Sequence, residues 1–83
     1  MYIVYVLKSG KDGKLYIGCT SDLPKRLEMH SKGRVLSTKS RLPMSLMYKE
    51  EFADKHEAFF TESFYKTAKG KRELKKKINC GII

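Results

Sequence analysis

Three things are scarce in this sequence, and each scarcity excludes a class of protein. Only two cysteines occur, Cys19 and Cys80, and they match neither a metal-ligand spacing nor a disulfide framework. Cys19 falls in an apolar alternating run and reads as a small buried hydrophobe, while Cys80 lies in a frayed tail. Both are expected to be free thiols in a reducing cytoplasm. Apolar runs are short: nothing approaches the roughly 18 consecutive apolar residues of a membrane span, so no membrane partner is expected. The opening MYIVYVLKSGKDGK has no basic stretch ahead of its apolar segment and does not read as a signal peptide. Acidic residues are the third shortage, with nine Asp and Glu against eighteen Lys and Arg and a formal charge of +9. With 83 residues, and no internal repeat or linker, the chain reads as one domain over 1–83 and as a monomer.

An excess of positive charge on this scale points to a polyanion, most often nucleic acid. Its distribution sharpens the reading. From Ser31 to Lys49 the bases Lys32, Arg34, Lys39, Arg41 and Lys49 meet no acid. From Lys66 to Lys77 the single acid is Glu73, among Lys66, Lys69, Lys71, Arg72, Lys75, Lys76 and Lys77. Charge runs usually mark a solvated face, but two such segments in one small domain favour a nucleic-acid surface. Lys25, Lys32, Arg34, Lys39, Arg41, Lys66, Lys69 and Lys71 are the candidates to hold its phosphates, through contacts that are salt-dependent and largely indifferent to base sequence.

Tyr2 to Leu7, rich in β-branched and aromatic residues, predicts a strand. Ser9 to Lys14 (SGKDGK) predicts a turn, and Leu15 to Thr20 the returning strand of a hairpin. Alternation puts Ile3, Tyr5 and Leu7 on one face and Tyr2, Val4 and Val6 on the other, with Tyr16 and Gly18 opposite in facing to Leu15, Ile17 and Cys19. A register that sets Tyr5 against Tyr16 or Gly18 brings both tyrosines to one side. Ser21 or Asp22 caps a helix with Pro24 in its first turn, ending near Ser31. Arg26 and His30 share a stripe of it. Val35 to Met44 is a basic, polar loop with room for a turn of helix, and Ser45 to Phe52 a third strand. Asp54 caps a helix running to about Ala68, in which Phe60 and Phe64 pack together and Ala58, Glu62 and Tyr65 form a second stripe. Lys69-Gly70-Lys71 is expected to break or kink it ahead of a last helix, Lys71 to Ile78, anchored by Leu74 and Ile78. The order ββαβαα predicts an α+β domain on a small three-stranded antiparallel sheet flanked by helices.

Taken one at a time, the polar residues have ordinary readings. A strand tyrosine usually packs, an exposed helix arginine is solvated, a histidine near a helix C-terminus is favoured by the dipole, and Glu62 can pair with a neighbouring lysine. Gly18, two residues beyond Tyr16, marks a close approach inside a strand. Together, Val4-Tyr5, then Tyr16-Ile17-Gly18, then Arg26, His30 and Glu62, resemble the signature of the GIY-YIG nucleases. The segment STKSRLPMSLMYKEEF resembles the loop and third strand of their small standalone bacterial members. The first triplet lacks its glycine (Ile3-Val4-Tyr5), a position that carries no chemical group. The resemblance implies a phosphodiesterase with Tyr5, Tyr16, Arg26, His30 and Glu62 at its site. It further implies one Mg²⁺ or Mn²⁺ on Glu62, Arg26 on the phosphate, and Tyr16 polarising water with support from Tyr5. A tyrosine's pKa of about 10 makes it a poor base at neutral pH, so that role needs help from basic neighbours and a metal-bound water. DNA is the expected substrate, with repair or recombination as the setting. Two rivals stay open: a nucleic-acid-binding module of the same fold without turnover, and an accessory protein that docks on RNA or ribosomes through its basic tail.

Overall fold

The computed structural model describes residues 1–82, with side chains for all of these but 36, 37 and 79–82, so the Cys80 thiol lies outside the described residues. The hairpin consists of β1 (Tyr2–Ser9) and β2 (Leu15–Thr20). Helix α1 (Leu23–Ser31) follows, then a single helical turn α2 (Leu36–Lys39) and strand β3 (Met44–Phe52). Helices α3 (Lys55–Tyr65) and α4 (Ala68–Ile82) close the order. The sheet is antiparallel with β1 in the middle, β2-β1-β3, so the order is ββαβαα with one short turn inside the basic loop.

As the central strand, β1 is covered on both faces, which is why Val4 to Leu7 are all buried although their side chains alternate. Val4, Val6 and Ile17 pack with Ala58 and Tyr65 of α3 and Leu74 and Ile78 of α4. Tyr5 and Leu7 pack on the opposite face with Leu23 of α1, joined by Ile3, Tyr16 and Leu27. The chain is thus a helix–sheet–helix sandwich in which α1 and the α3–α4 pair occupy different layers. In the hairpin Tyr5 stands opposite Gly18 and Leu7 opposite Tyr16, the register that brings both tyrosines to the α1 face.

Asp22 caps α1 by accepting from the Lys25 amide at 3.2 Å, with Pro24 in the first turn, and Asp54 caps α3 by accepting from the His56 amide at 2.9 Å. Two expectations fail in the second layer. Phe60 does not pack on Phe64; it is 75% exposed, because the inward stripe is set by Ala58 and Tyr65 and leaves Phe60 outside it. Nor does Lys69-Gly70-Lys71 break the helix. α3 already ends at Tyr65, and Thr67 starts α4: its hydroxyl accepts from the Gly70 amide at 3.0 Å and donates to the Phe64 carbonyl at 2.6 Å. A side-chain cap, not a glycine, makes the corner. Gly70 instead sits buried within α4, where a Cβ would lie 1.7 Å from the Phe64 carbonyl oxygen.

Candidate active site

The Tyr5 phenol is the hub of the first layer and is 0% exposed. The Arg26 Nε–H donates to its oxygen at 3.3 Å, and the His30 Nε2 lies 3.0 Å away. Arg26 and His30, four residues apart, reach the same oxygen from successive turns of α1. The other imidazole nitrogen, Nδ1, is 2.8 Å from the hydroxyl of Thr38, which donates in turn to the Val35 carbonyl at 3.4 Å. One proton arrangement serves every atom. Arg26 donates to Tyr5, the Tyr5 hydroxyl to His30 Nε2, His30 Nδ1–H to Thr38, and Thr38 to the backbone. Tyr16, half-buried, completes the cluster with its ring centroid 5.1 Å from that of His30 and 6.3 Å from that of Tyr5.

The electrostatics keep this chain of bonds neutral apart from Arg26. Burial raises the Tyr5 pKa above its ordinary value, against the lowering influence of the Arg26 hydrogen bond. Burial, helped by the Arg26 charge, lowers that of His30. The Tyr5 hydrogen bond raises that of Arg26, with Tyr16 contributing. A neutral His30 accepts from Tyr5; a protonated one has two donors and no lone pair for it. The unfolded histidine takes up its proton near 6.5 and the folded one only at lower pH, so stability present above pH 6.5 is lost as the pH falls below it. The midpoint of urea unfolding is expected to drop between pH 7.5 and pH 5. That drop should be smaller in His30→Gln, which removes the titrating group.

Gly18 explains how the phenol gets there. A Cβ on Gly18 would lie 2.5 Å from the Tyr5 hydroxyl oxygen and 2.6 Å from Cζ, so the ring lies across the bare glycine backbone. Tyr5 is buried and held at its hydroxyl, so it has nowhere to swing. Gly18→Ala is therefore expected to displace the hydroxyl from His30 and Arg26. The folded protein should remain, with a changed His30 ring environment by NMR and any activity of the cluster lowered at least tenfold; an unmoved His30 signal would contradict the close approach.

Glu62 comes from the other layer. Its side chain is 21% exposed and accepts from Lys66 Nζ at 3.2 Å, so the ordinary ion pair exists. Its charge also reaches the sheet edge, where it helps to raise the pKa of both the Tyr5 phenol and the Cys19 thiol. Cys19 is a free thiol packed half-buried against the α3 layer. No group of three or more His, Cys, Asp or Glu side chains able to hold a metal ion occurs among the described residues. The described residues therefore offer no closed protein cage for a metal.

The eight basic candidates border more than one cavity. Lys25, Lys32 and Arg34 border a small cavity of about 110 Å³ beside α1, and Lys32 pairs with Glu28. Arg41 and Lys71 border a different and larger cavity near the hairpin turn. Lys39, Lys66 and Lys69 are exposed. Thr38 is the cluster member that sequence reasoning misses. It lies in a loop legible only as basic and polar, and nothing in its neighbourhood signals that its hydroxyl is buried against a histidine eight residues away.

A three-stranded antiparallel sheet carries two facing tyrosines, with an Arg–His helix against them and Glu62 on the later helix, and this defines a small α+β domain class. Residues 1–79 match the family model of the GIY-YIG catalytic domain, and the chain belongs to that family. It is similar to a UPF0213 protein of Streptococcus pneumoniae, 42% identical over 67 residues that cover 80% of this chain and 67% of that protein. A UPF0213 protein of Staphylococcus saprophyticus is 39% identical over 75 residues, covering 89% and 90%. The solution structure of a UPF0213 protein from Bacillus halodurans superposes with a TM-score of 0.58 at 32% identity, over 92% of this chain and 84% of that one. No helix among the described residues is long and apolar enough to cross a membrane.

Proposed function

We propose that this protein is a divalent-metal-dependent endonuclease that hydrolyses phosphodiester bonds in nucleic acid, with DNA as the preferred substrate. The observation that carries the reading is the Tyr5 hub, a fully buried phenol bonded at once to Arg26 and His30 with the more accessible Tyr16 alongside. Burial separates the roles of the two tyrosines. Tyr5 has no exposed surface with which to touch substrate; it positions Arg26 and His30. Tyr16, half-buried at the cluster's edge, orients the attacking water. Arg26 spends its Nε–H on Tyr5, and its guanidinium, which Tyr16 also approaches, turns its terminal nitrogens to a phosphate. Charge that develops on the phosphate in the transition state meets a guanidinium already oriented by the protein. Glu62 would hold the cation, which when bound supplies Lewis acidity and a more acidic water.

The test is a nicking assay on duplex, branched and single-stranded DNA and on structured RNA, with and without Mn²⁺, run beside Glu62→Ala to expose contaminating nucleases. Cleavage by the wild type in metal only, reduced at least a hundredfold in Glu62→Ala, is the expected outcome. Equal cleavage by both proteins would remove the reading. Binding without any cleavage would leave a nucleic-acid-binding module.

A further inference from the structure

Away from the tyrosine cluster, a cavity of about 380 Å³ opens between the hairpin turn and α4. Gly13, Leu15 and Ile17 form its floor, and Lys14, Arg41, Lys71 and Lys75 contribute four cations from three separate segments. None of its lining residues is acidic; Asp12 pairs with Arg41 from outside the lining, its Oδ2 3.4 Å from the Arg41 Nε. The Nε keeps Asp12 as an ion-pair partner without hydrogen-bond geometry, and one terminal nitrogen, also shut off from solvent, makes no hydrogen bond. Leaving a buried charged donor without an acceptor is costly, so the terminal nitrogen needs a partner that the described side chains do not supply. The Arg41 side chain is 24% exposed, so its fork is pinned in the loop yet open on one side. Its anchor is the backbone, where the Arg41 carbonyl accepts from the buried Ser9 hydroxyl at 2.6 Å.

We propose that Arg41, with Lys14, Lys71 and Lys75, forms a phosphate-binding site separate from the candidate catalytic cluster. A tetrahedral dianion or phosphodiester matches the set. The guanidinium of Arg41 supplies a fixed charge at the cavity wall, and three lysine ammoniums supply mobile point charges around the remainder. The proposal deepens the nucleic-acid reading and rests on it only for the source of the phosphate. As part of a strand, the phosphate would be a second anchor that fixes how the backbone crosses the hairpin. The eight cations singled out from sequence include Arg41 and Lys71 but not Lys14 or Lys75, which only the fold brings to the same cavity.

Two measurements test it, neither reading cleavage. The first is an NMR titration of the intact protein with inorganic phosphate at constant ionic strength, with chloride as control. Shifts confined to Gly13, Lys14, Arg41, Lys71 and Lys75 are expected, the Arg41 Nε–H among them, and they should vanish in Arg41→Gln. The second is the salt dependence of DNA affinity. Lys71→Ala/Lys75→Ala, on the exposed side of a helix that tolerates alanine, is expected to flatten the slope of log K against log salt by about 2. Phosphate shifts with a flattened slope support a backbone phosphate. Phosphate shifts with an unchanged slope support the same site filled by a free or small-molecule phosphate. No phosphate shifts overturn the proposal, even with a flattened slope, which then reports diffuse charge. A protein that binds in this way but never cuts defeats the nuclease reading and leaves this one standing.

Discussion

Arg26→Ala is expected to slow strand cleavage by roughly 10²–10³-fold, the range found when one preorganised donor to a developing oxyanion is removed. The fold should survive. Arg26 is half-buried at the edge of α1, and its loss leaves the Tyr5 hydroxyl bonded to His30 at 3.0 Å. Its contribution to substrate affinity is one cation in a protein of charge +9, so binding should weaken far less than turnover. The signature is therefore a loss in kcat with little change in KM. Arg26→Lys tests the geometry. Lysine keeps the charge, but it is a single flexible ammonium that cannot hold Tyr5 through one nitrogen and present another to phosphate. At least a tenfold defect is expected. Full activity in Arg26→Lys would mean that only charge matters there, and full activity in Arg26→Ala would remove Arg26 from the reaction.

The largest expected effect on stability belongs to Gly70. Alanine at this position gains about 1 kcal/mol of helix propensity. Against that, its Cβ would sit 1.7 Å from the Phe64 carbonyl oxygen, 2.5 Å from the carbonyl carbon and 2.9 Å from the Tyr65 Cα. All three are backbone atoms of the last turn of α3, which cannot rotate aside as a side chain can. Relief requires α4 to lift away from α3, and with it Leu74 and Ile78, both buried in the core. Overpacking costs about 1–3 kcal/mol and occasionally more, and a contact with backbone belongs at or beyond the upper end. The net loss of about 2 kcal/mol or more is a large part of what holds a domain of this size. Gly70→Ala should lower Tm by roughly 10 °C or more, since each kcal/mol is worth about 4–8 °C at this length. A Tm that rises instead would show that propensity wins and that the two helices are not in contact there.

These two residues also mark the line between what local pattern carries and what it does not. Arg26 and His30 were legible because a helix repeats every 3.6 residues, so a spacing of four means one stripe whatever the rest of the fold does. That Tyr16 and Gly18 share a face was legible because strand side chains alternate strictly; that Tyr5 joins them hung on the register, which the structure supplies as Tyr5 opposite Gly18. The caps at Asp22 and Asp54 follow from local side-chain chemistry. Gly70 was misread as a breaker because glycine is both a helix terminator and the residue for close packing, and a one-dimensional pattern does not separate the two. Phe60 was misread because its spacing to Phe64 is right for a pair, while the burial of either depends on what the sheet presents to α3.

The amino-acid order alone determined the hairpin, the α1 stripe and the excess of positive charge, since each arises from interactions within a few residues or from composition, and the element order made the antiparallel α+β plan legible. Only the tertiary structure decided that Tyr5 is sealed while Tyr16 is not, that Thr38 closes the imidazole, and that Lys14 and Lys75 join Arg41 around one cavity. Those facts depend on which segments meet after the sheet is sandwiched between two helical layers. Burial and long-range hydrogen bonding are properties of that meeting, and no single stretch of chain contains them.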